Sequence, residues 1–230
     1  MRFDPHVHSR WSYDSSASVH DLLAAAADAG LDAVAVTDHD AVEGSLRAAA
    51  LAPEYGLLGV PGVEVSTADG HLLALGVEHR PEPGRPLAET VATVREWGGL
   101  AVVPHPFQRT RHGARPPAIS DCDGVEVYNA LLMTGVRNRR ARRFADREGY
   151  PHLAGSDAHV SRMVGRAYTE VGLDPRGDPS EVDPGELLDA IRQGRSAARG
   201  SRTPVARYVR KFATNAGLKT GAGLRSALGR

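Results

Sequence analysis

Histidines and carboxylates recur in this sequence at a spacing that could bind metal ions. His6 and His8 are separated by one residue in an extended segment, so their side chains point to the same face and could chelate one ion. Asp157 and His159 form a second pair with the same spacing. A single histidine of this kind is usually structural, but two pairs together with the further candidates favour a metal site. Those candidates lie near the ends of apolar runs and are His39, Glu64, His71 and His105.

The types of these side chains limit the chemistry. Imidazole and carboxylate ligands without a thiolate suit Zn, Mn or Fe and do not choose among them. So many candidate ligands imply more than one ion, and we expect two or three divalent ions. Clustered divalent ions lower the pKa of bound water, so that hydroxide forms near neutral pH, and they orient and neutralise a phosphate group.

An α/β fold with a mostly parallel sheet is predicted to position these residues. Short β-branched runs alternate with amphipathic segments rich in alanine and leucine, which is typical of βα units. About seven strands result, and folds of this type place their sites at the carboxyl ends of the strands. Strands are expected at 33–36, 59–65, 72–77, 100–103, 124–128 and 152–154. Helices are expected from a Ser18 cap to Gly30 and near 43–51, 87–97, 135–148 and 185–193.

Size and composition favour one domain with an appendage. The chain has 230 residues, 41% of them hydrophobic, which is enough to bury a core. We expect a domain over 1–199 and a basic C-terminal helix or tail over 200–230, because residues 190–230 contain ten Arg or Lys and no Asp or Glu. The single cysteine, Cys122, cannot form an internal disulfide, which favours the cytoplasm. We expect no membrane contact, because no apolar stretch approaches the ~18 residues of a span.

The ordered motifs resemble those of the polymerase and histidinol phosphatase (PHP) family of metal-dependent phosphoesterases. The family's opening His-x-His is similar to His6-Val-His8, followed by Ser12-Tyr-Asp14-Ser, and its Asp-His motif is similar to Asp38-His39. The remaining motifs correspond to Gly62-Val-Glu64, His105-Pro106 and Asp157-Ala-His159. This resemblance spans residues 3 to about 171 and implies a distorted, TIM-like (β/α)7 barrel.

The resemblance also implies which residues hold each ion. By position, His6, His8, Glu64 and Asp157 would hold one ion, Glu64 and His105 a second, and Asp14, His39 and His159 a third. Glu64 would bridge two ions, and His71 would either complete the second ion's ligands or lie behind them. The sequence departs from the family pattern at two places: Pro5 precedes the first histidine, and Asp14 lies one position later than in many members.

Hydrolysis of a phosphomonoester, in a small metabolite or a nucleotide, is the predicted activity. Amidohydrolases also begin with His-x-His, but they commonly bridge their metals with a modified lysine, and no lysine precedes Lys211. Glu64 and Asp157 are the expected catalytic ligands, and Arg109 is the expected cation for the substrate phosphate, since arginine binds phosphate through two donors. Two alternatives stay open. One is a nuclease acting on RNA or DNA ends, with the basic tail contacting the nucleic acid, and the other is a catalytically idle PHP fold that only binds.

Other noticeable residues have ordinary explanations. Six arginines between Arg137 and Arg147 are at helical spacing and favour a solvated helix face over a nucleic-acid patch. His20, His79 and His152 lie away from the predicted carboxyl ends of strands. Cys122 lacks a nearby histidine base, so we do not expect a thiol nucleophile.

Overall fold

The computed structural model describes residues 1–108, 112–132, 135–175 and 177–201. Within these ranges, strands and helices largely alternate along the chain. The strands are β1 (Arg2–Val7), β2 (Ala33–Val36), β3 (Leu58–Gly59), β4 (Gly62–Thr67), β5 (Gly70–Leu75), β6 (Leu100–Val103), β7 (Gly124–Asn129), β8 (His152–Gly155), β9 (Ala167–Val171) and β10 (Ser196–Gly200). The α-helices are α1 (Val19–Asp28), α2 (Glu43–Leu51), α3 (Leu87–Glu96), α4 (Gly135–Glu148) and α5 (Pro184–Arg192). Short 3-10 helices cover Ala52–Tyr55, Ser161–Met163 and Pro179–Glu181.

The α/β prediction is confirmed, with mixed rather than mostly parallel sheets. One sheet has the order β10-β9-β1-β2-β3, in which β9 runs antiparallel to both β10 and β1. The other has the order β4-β5-β6-β7-β8, in which β5 runs antiparallel to β4 and β6. The described strands thus form two five-stranded sheets and no continuous closed barrel.

Two isolated bridges connect the sheets where their ends meet. Val7 at the end of β1 pairs with Ala158, which follows β8, and His39 after β2 pairs with Glu64 in β4. Both bridges are parallel. They bring the carboxyl ends of β1 and β2 against the second sheet, and the residues that the sequence analysis singled out lie at this junction.

Local sequence explains the helix boundaries. The Ser18 hydroxyl accepts a hydrogen bond from the Asp21 amide, and Gly30 adopts a φ of +68° after the helix ends, as the sequence predicted for α1. Asp183 caps α5 in the same manner, with Pro184 in its first turn. The predicted helices over 43–51 and 135–148 are confirmed at the same bounds.

The strands differ from the prediction at two places. The single strand expected over 59–65 is divided into β3 and β4, because Pro61 has no amide hydrogen to donate to a ladder. Val60 still donates to the Val34 carbonyl in the first sheet, and Pro61 accepts from Gly76 in the second. The chain therefore changes sheets at this proline. β9 and β10 were not predicted, because their alternation of small and charged residues carries little hydrophobic signal.

Apolar side chains fill the space between the sheets and the helices. One cluster packs β4 to β7 against α3 and α4, and a second packs β1 and β2 against α1 and α2. In the described ranges, no helix has both the length and the apolar character needed to cross a membrane.

Candidate metal centre

The predicted ligands come together at the junction between the sheets. β1 delivers His6 and, just beyond its end, His8; β4 and β5 deliver Glu64 and His71. The other candidates lie in the segments that follow strands: Asp14 after β1, His39 after β2, His105 after β6, and Asp157 and His159 after β8. Ligand atoms of these nine residues form overlapping groups in which all atoms lie within 4.8 Å of one another.

Three candidate ion positions can be distinguished. His6, His8 and Asp157, together with Glu64, form the first position. His8 Nε2 lies 3.3 Å from Glu64 Oε2 and 3.4 Å from Asp157 Oδ1. His6 Nε2 lies 3.3 Å and 3.8 Å from the same two oxygens. Both histidines are fully buried. Two imidazoles and two carboxylates therefore converge on one point.

The second position is formed by His71 and His105 on the other oxygen of Glu64. His71 Nδ1 lies 2.7 Å from Glu64 Oε1, and His105 Nε2 lies 2.9 Å from it. The two carboxylate oxygens of Glu64 thus face different sets of histidines. This division is the geometry that a carboxylate bridging two cations requires.

The third position is formed by Asp14, His39 and His159. His159 Nε2 lies 2.9 Å from Asp14 Oδ2, and His39 Nε2 lies 3.8 Å from it. His159 Nδ1 lies 2.9 Å from the Asp157 carbonyl oxygen, and donation of its proton to that oxygen leaves Nε2 as the ligand atom. Tyr13, 56% exposed, stacks on His39 at 4.8 Å between ring centroids and covers this side of the centre.

Backbone strain is concentrated at the same place. His105 and Asp157 have φ values of +30° and +51°, a region that residues other than glycine rarely adopt. Such conformations persist only where the surrounding structure enforces them, and they cluster at functional sites.

Buried nitrogen atoms without hydrogen-bond partners show that the residues fit a metal. His8 Nε2 and His39 Nδ1 are buried and unsatisfied, although carboxylate oxygens lie 3.1 to 3.4 Å from them. Buried polar atoms are normally satisfied, because an unsatisfied one costs free energy. A divalent cation held between these nitrogens and the carboxylates would satisfy both, and the donor set matches Zn, Mn or Fe.

The pKa values follow from burial and from the crowding of opposite charges. Burial would raise the pKa of Glu64, but His39, His71 and His6 hold it well below its usual range. Burial would also raise the pKa of Asp14, but the neighbouring histidines, His159 above all, hold it well below its usual range. Burial lowers the pKa of His39 to about 3, so this imidazole is neutral near pH 7. Burial would also lower the pKa values of His6 and His8, but Asp157 and Glu64 outweigh it and raise them, so a metal must displace a proton from these two rings.

Sequence reasoning missed three polar residues that support the ligands. Glu126 Oε1 lies 3.1 Å from His6 Nδ1, and its other oxygen accepts from the His105 backbone N–H at 2.7 Å. Asn129 donates to both Glu126 and Asp157. His112 Nδ1 lies 2.7 Å from His71 Nε2, the nitrogen that faces away from Glu64. The sequence does contain a sign of the role of Glu126: it is a charged residue at the centre of the apolar run Val125-Glu-Val127, and a buried charge needs partners.

Other singled-out residues lie in other contacts or outside the described ranges. His20 Nδ1 lies 2.9 Å from the Tyr55 hydroxyl, His79 packs edge-on against Trp97, and His152 forms an ion pair with Asp146. Burial raises the pKa of the Cys122 thiol to about 12, which disfavours a thiolate. Arg109 and the segment 202–230 lie outside the described residues.

Comparison with known proteins identifies similar sequences. The family described as PHP-associated matches residues 135–196. The uncharacterized protein MJ1587 of Methanocaldococcus jannaschii is 31% identical over 152 residues, which cover 61% of this chain and 89% of that protein. The phosphoribosyl 1,2-cyclic phosphate 1,2-diphosphodiesterase of Eggerthella lenta is 40% identical over 81 residues, which cover 33% of this chain and 30% of that enzyme.

Solved structures share the fold. A two-domain protein from Bacteroides vulgatus, described as containing a predicted PHP-like metal-dependent phosphoesterase, superposes with a TM-score of 0.68 at 19% identity. The superposition covers 87% of this chain and 64% of that one.

Proposed function

We propose that this chain, which belongs to the PHP family of metal-dependent phosphoesterases, hydrolyses phosphomonoesters of a small metabolite or nucleotide. The observation that carries this proposal is Glu64, whose two buried oxygens face different sets of histidines. When bound at these positions, two or three divalent ions would activate water and neutralise the charge of a phosphate group. Their identity as Mn, Zn or Fe is part of the proposal.

The chain's own residues prepare the centre for this chemistry. His6 and His8, both fully buried, would hold the first ion with Asp157 and Glu64, and His105 and His71 would hold the second. Asp14, His39 and His159 would hold the third. The low pKa of His39 keeps its lone pair available, and the proton that His159 Nδ1 shares with the Asp157 carbonyl orients that ring.

We also infer that the two sheets together form the distorted (β/α)7 barrel of this family. β1, β2 and β4 to β8 are seven strands, and the bridges Val7 to Ala158 and His39 to Glu64 support a ring in which β8 neighbours β1 and β2 neighbours β4. Arg109 is proposed as a cation for the substrate phosphate because it follows His105 closely in sequence.

Metal reconstitution tests the proposal. The protein would be stripped with a chelator, reloaded separately with Mn, Zn and Fe, and assayed by elemental analysis and against a panel of phosphomonoesters, dinucleotides and short oligonucleotides. We expect at least two ions per chain and hydrolysis of phosphomonoesters that depends on them. A ratio below about one ion per chain would contradict the bridged centre, since a bridge needs two ions. Full loading without hydrolysis of any substrate would favour the idle binding module.

A nuclease is the second candidate, and the surface of α4 favours it. Arg139, Arg142 and Arg143 are exposed and form no ion pair within the part of the chain that the structure describes. Arg140 lies over the Phe107 ring at 4.4 Å, two residues beyond His105, which places the helix beside the centre. An arginine face of this kind could bind a phosphate backbone.

Charge removal on α4 distinguishes the candidates. The triple variant R139Q/R142Q/R143Q should lose oligonucleotide affinity, with a shallower salt dependence, if the protein is a nuclease. Removal of three exposed arginines elsewhere, R47Q/R80Q/R85Q, provides the matched control. Equal oligonucleotide binding by both triple variants and the unmodified protein would eliminate this role of α4 and leave the phosphomonoesterase.

A further inference from the structure

Glu126 is a buried carboxylate that contacts two of the proposed metal ligands, His6 and His105. It lies at the middle of β7 and is 1% exposed. His6 Nδ1 lies 3.1 Å from Oε1, and Oε2 accepts from the His105 backbone at 2.7 Å and from Asn129 Nδ2 at 2.9 Å. A buried carboxylate is costly unless its oxygens are satisfied, and three donors satisfy this one.

The contact with His6 determines which nitrogen can bind a metal. In the neutral imidazole, a proton on Nδ1 that is donated to Glu126 leaves Nε2 as the atom that can bind a metal, and Nε2 faces Glu64 and Asp157. A carboxylate behind a ligating histidine fixes the tautomer and the ring orientation and increases the basicity of the ligand.

The contact between Glu126 and His105 involves the backbone of His105 and not its imidazole ring. His105 has a φ of +30°, and its N–H is held by Glu126 Oε2. This hydrogen bond stabilises a strained conformation that directs the imidazole toward Glu64. Asn129 extends the network, because its side-chain amide donates to Glu126 and, at 3.2 Å, to Asp157 Oδ2. One carboxylate is thereby connected to ligands of the first and of the second position.

Gly155 makes this arrangement sterically possible. A Cβ atom at Gly155 would lie 2.6 Å from Glu126 Oε1 and 2.6 Å from His6 Cβ. No side chain can therefore occupy this position while Glu126 and His6 keep their contact.

We propose that Glu126 is a positioning residue that sets the metal affinity of the first and second positions together. The proposal rests on the metal centre proposed above. Glu126 acts through its contacts with His6, His105 and Asn129, and it does not itself bind an ion.

Two variants test this proposal. E126Q removes one of the acceptors, and G155A displaces Glu126 from His6 without changing any charge. Each protein would be loaded with Mn or Zn, dialysed against a graded series of chelator concentrations, and analysed for retained ions per chain. Thermal unfolding of the loaded and stripped forms would be measured in parallel.

We expect E126Q and G155A to release the ions of the first and second positions at 10 to 100-fold lower chelator concentration than the unmodified protein, about the loss seen when such a supporting contact is removed. The increase in melting temperature on metal loading should shrink in E126Q, because stabilisation by a ligand falls with its affinity.

If Glu126 only stabilised the fold, the variants would melt earlier without releasing their ions more easily. T90V, which removes a buried hydroxyl in α3 that lies 3.2 Å from the Pro86 carbonyl, serves as the matched control that changes stability without touching the centre. If E126Q and G155A melt earlier but release their ions like T90V, Glu126 only packs the core and the proposal is wrong. If the unmodified protein binds no ions, the proposed function itself fails instead.

Discussion

His71 Nδ1 lies 2.7 Å from Glu64 Oε1, which places this imidazole on the same carboxylate oxygen as His105. The sequence left open whether His71 is a ligand or lies behind the ligands, and this contact favours a ligand. The other ring nitrogen of His71 contacts His112, so we expect His112 to orient His71 rather than to bind an ion.

Substitution of the two histidines should therefore give different results. H71A is expected to lower the number of ions bound at saturation, because a ligand is lost. H112A should preserve that number and weaken binding about 10 to 100-fold, since only the orientation of His71 is affected. Elemental analysis at saturating metal, followed by competition with a chelator, separates the two. Equal stoichiometry in H71A and the unmodified protein would place His71 behind the ligands.

Glu64→Gln should lower turnover by at least ~10²-fold, about the scale seen when a key electrostatic contributor to catalysis is removed. The substitution preserves shape but removes the negative charge between two proposed cations. E170Q, an exposed glutamate paired with Arg199, is the matched control and should retain full activity. Steady-state rates on one phosphomonoester check this, and a near-normal rate in E64Q would show that the bridge lies elsewhere.

Removal of residues 202–230 should leave hydrolysis of a small phosphomonoester nearly unchanged. Every proposed ligand precedes Val160, and the last described strand, β10, pairs with β9 over Ser196–Gly200. Loss of seven basic residues is expected to reduce oligonucleotide affinity at low salt and to have less effect at high salt. Loss of bound metal from a folded truncated protein would mean that the segment supplies a ligand.

Cys122 should resist alkylation in the folded protein at pH 8. Its pKa is raised to about 12 by burial, so almost no thiolate is present. In the unfolded chain the thiol ionises at its ordinary value near 9, so stability falls as pH rises from about 9 to 12 and is insensitive to this group below that window. Labelling with and without denaturant measures the difference, and rapid labelling of the folded protein would contradict it.

The sequence predicted those features that depend on local pattern. His6, His8 and Glu64 were recognisable because polar residues at the carboxyl ends of apolar strands are conspicuous, and α4 was recognisable from its helical spacing. Glu126 and Asn129 were missed because their role depends on which strands become neighbours. The antiparallel direction of β5 was missed for a related reason, since strand direction is set by long-range pairing rather than by the residues of the strand.

Bound ions would add cross-links between the two sheets to the two isolated backbone bridges that join them. His6, His8, Asp14 and His39 belong to segments of the first sheet, whereas Glu64, Asp157 and His159 belong to the second. An ion at the first or the third position would therefore cross-link the two sheets. Among the described residues, two isolated backbone bridges join the sheets at this edge. Loss of metal would remove the cross-links made by the ions, while the apolar cluster that packs Phe3 of the first sheet with Leu73 and Leu100 of the second would still hold the sheets together. Order at this edge and the proposed catalysis would therefore depend on the same ions.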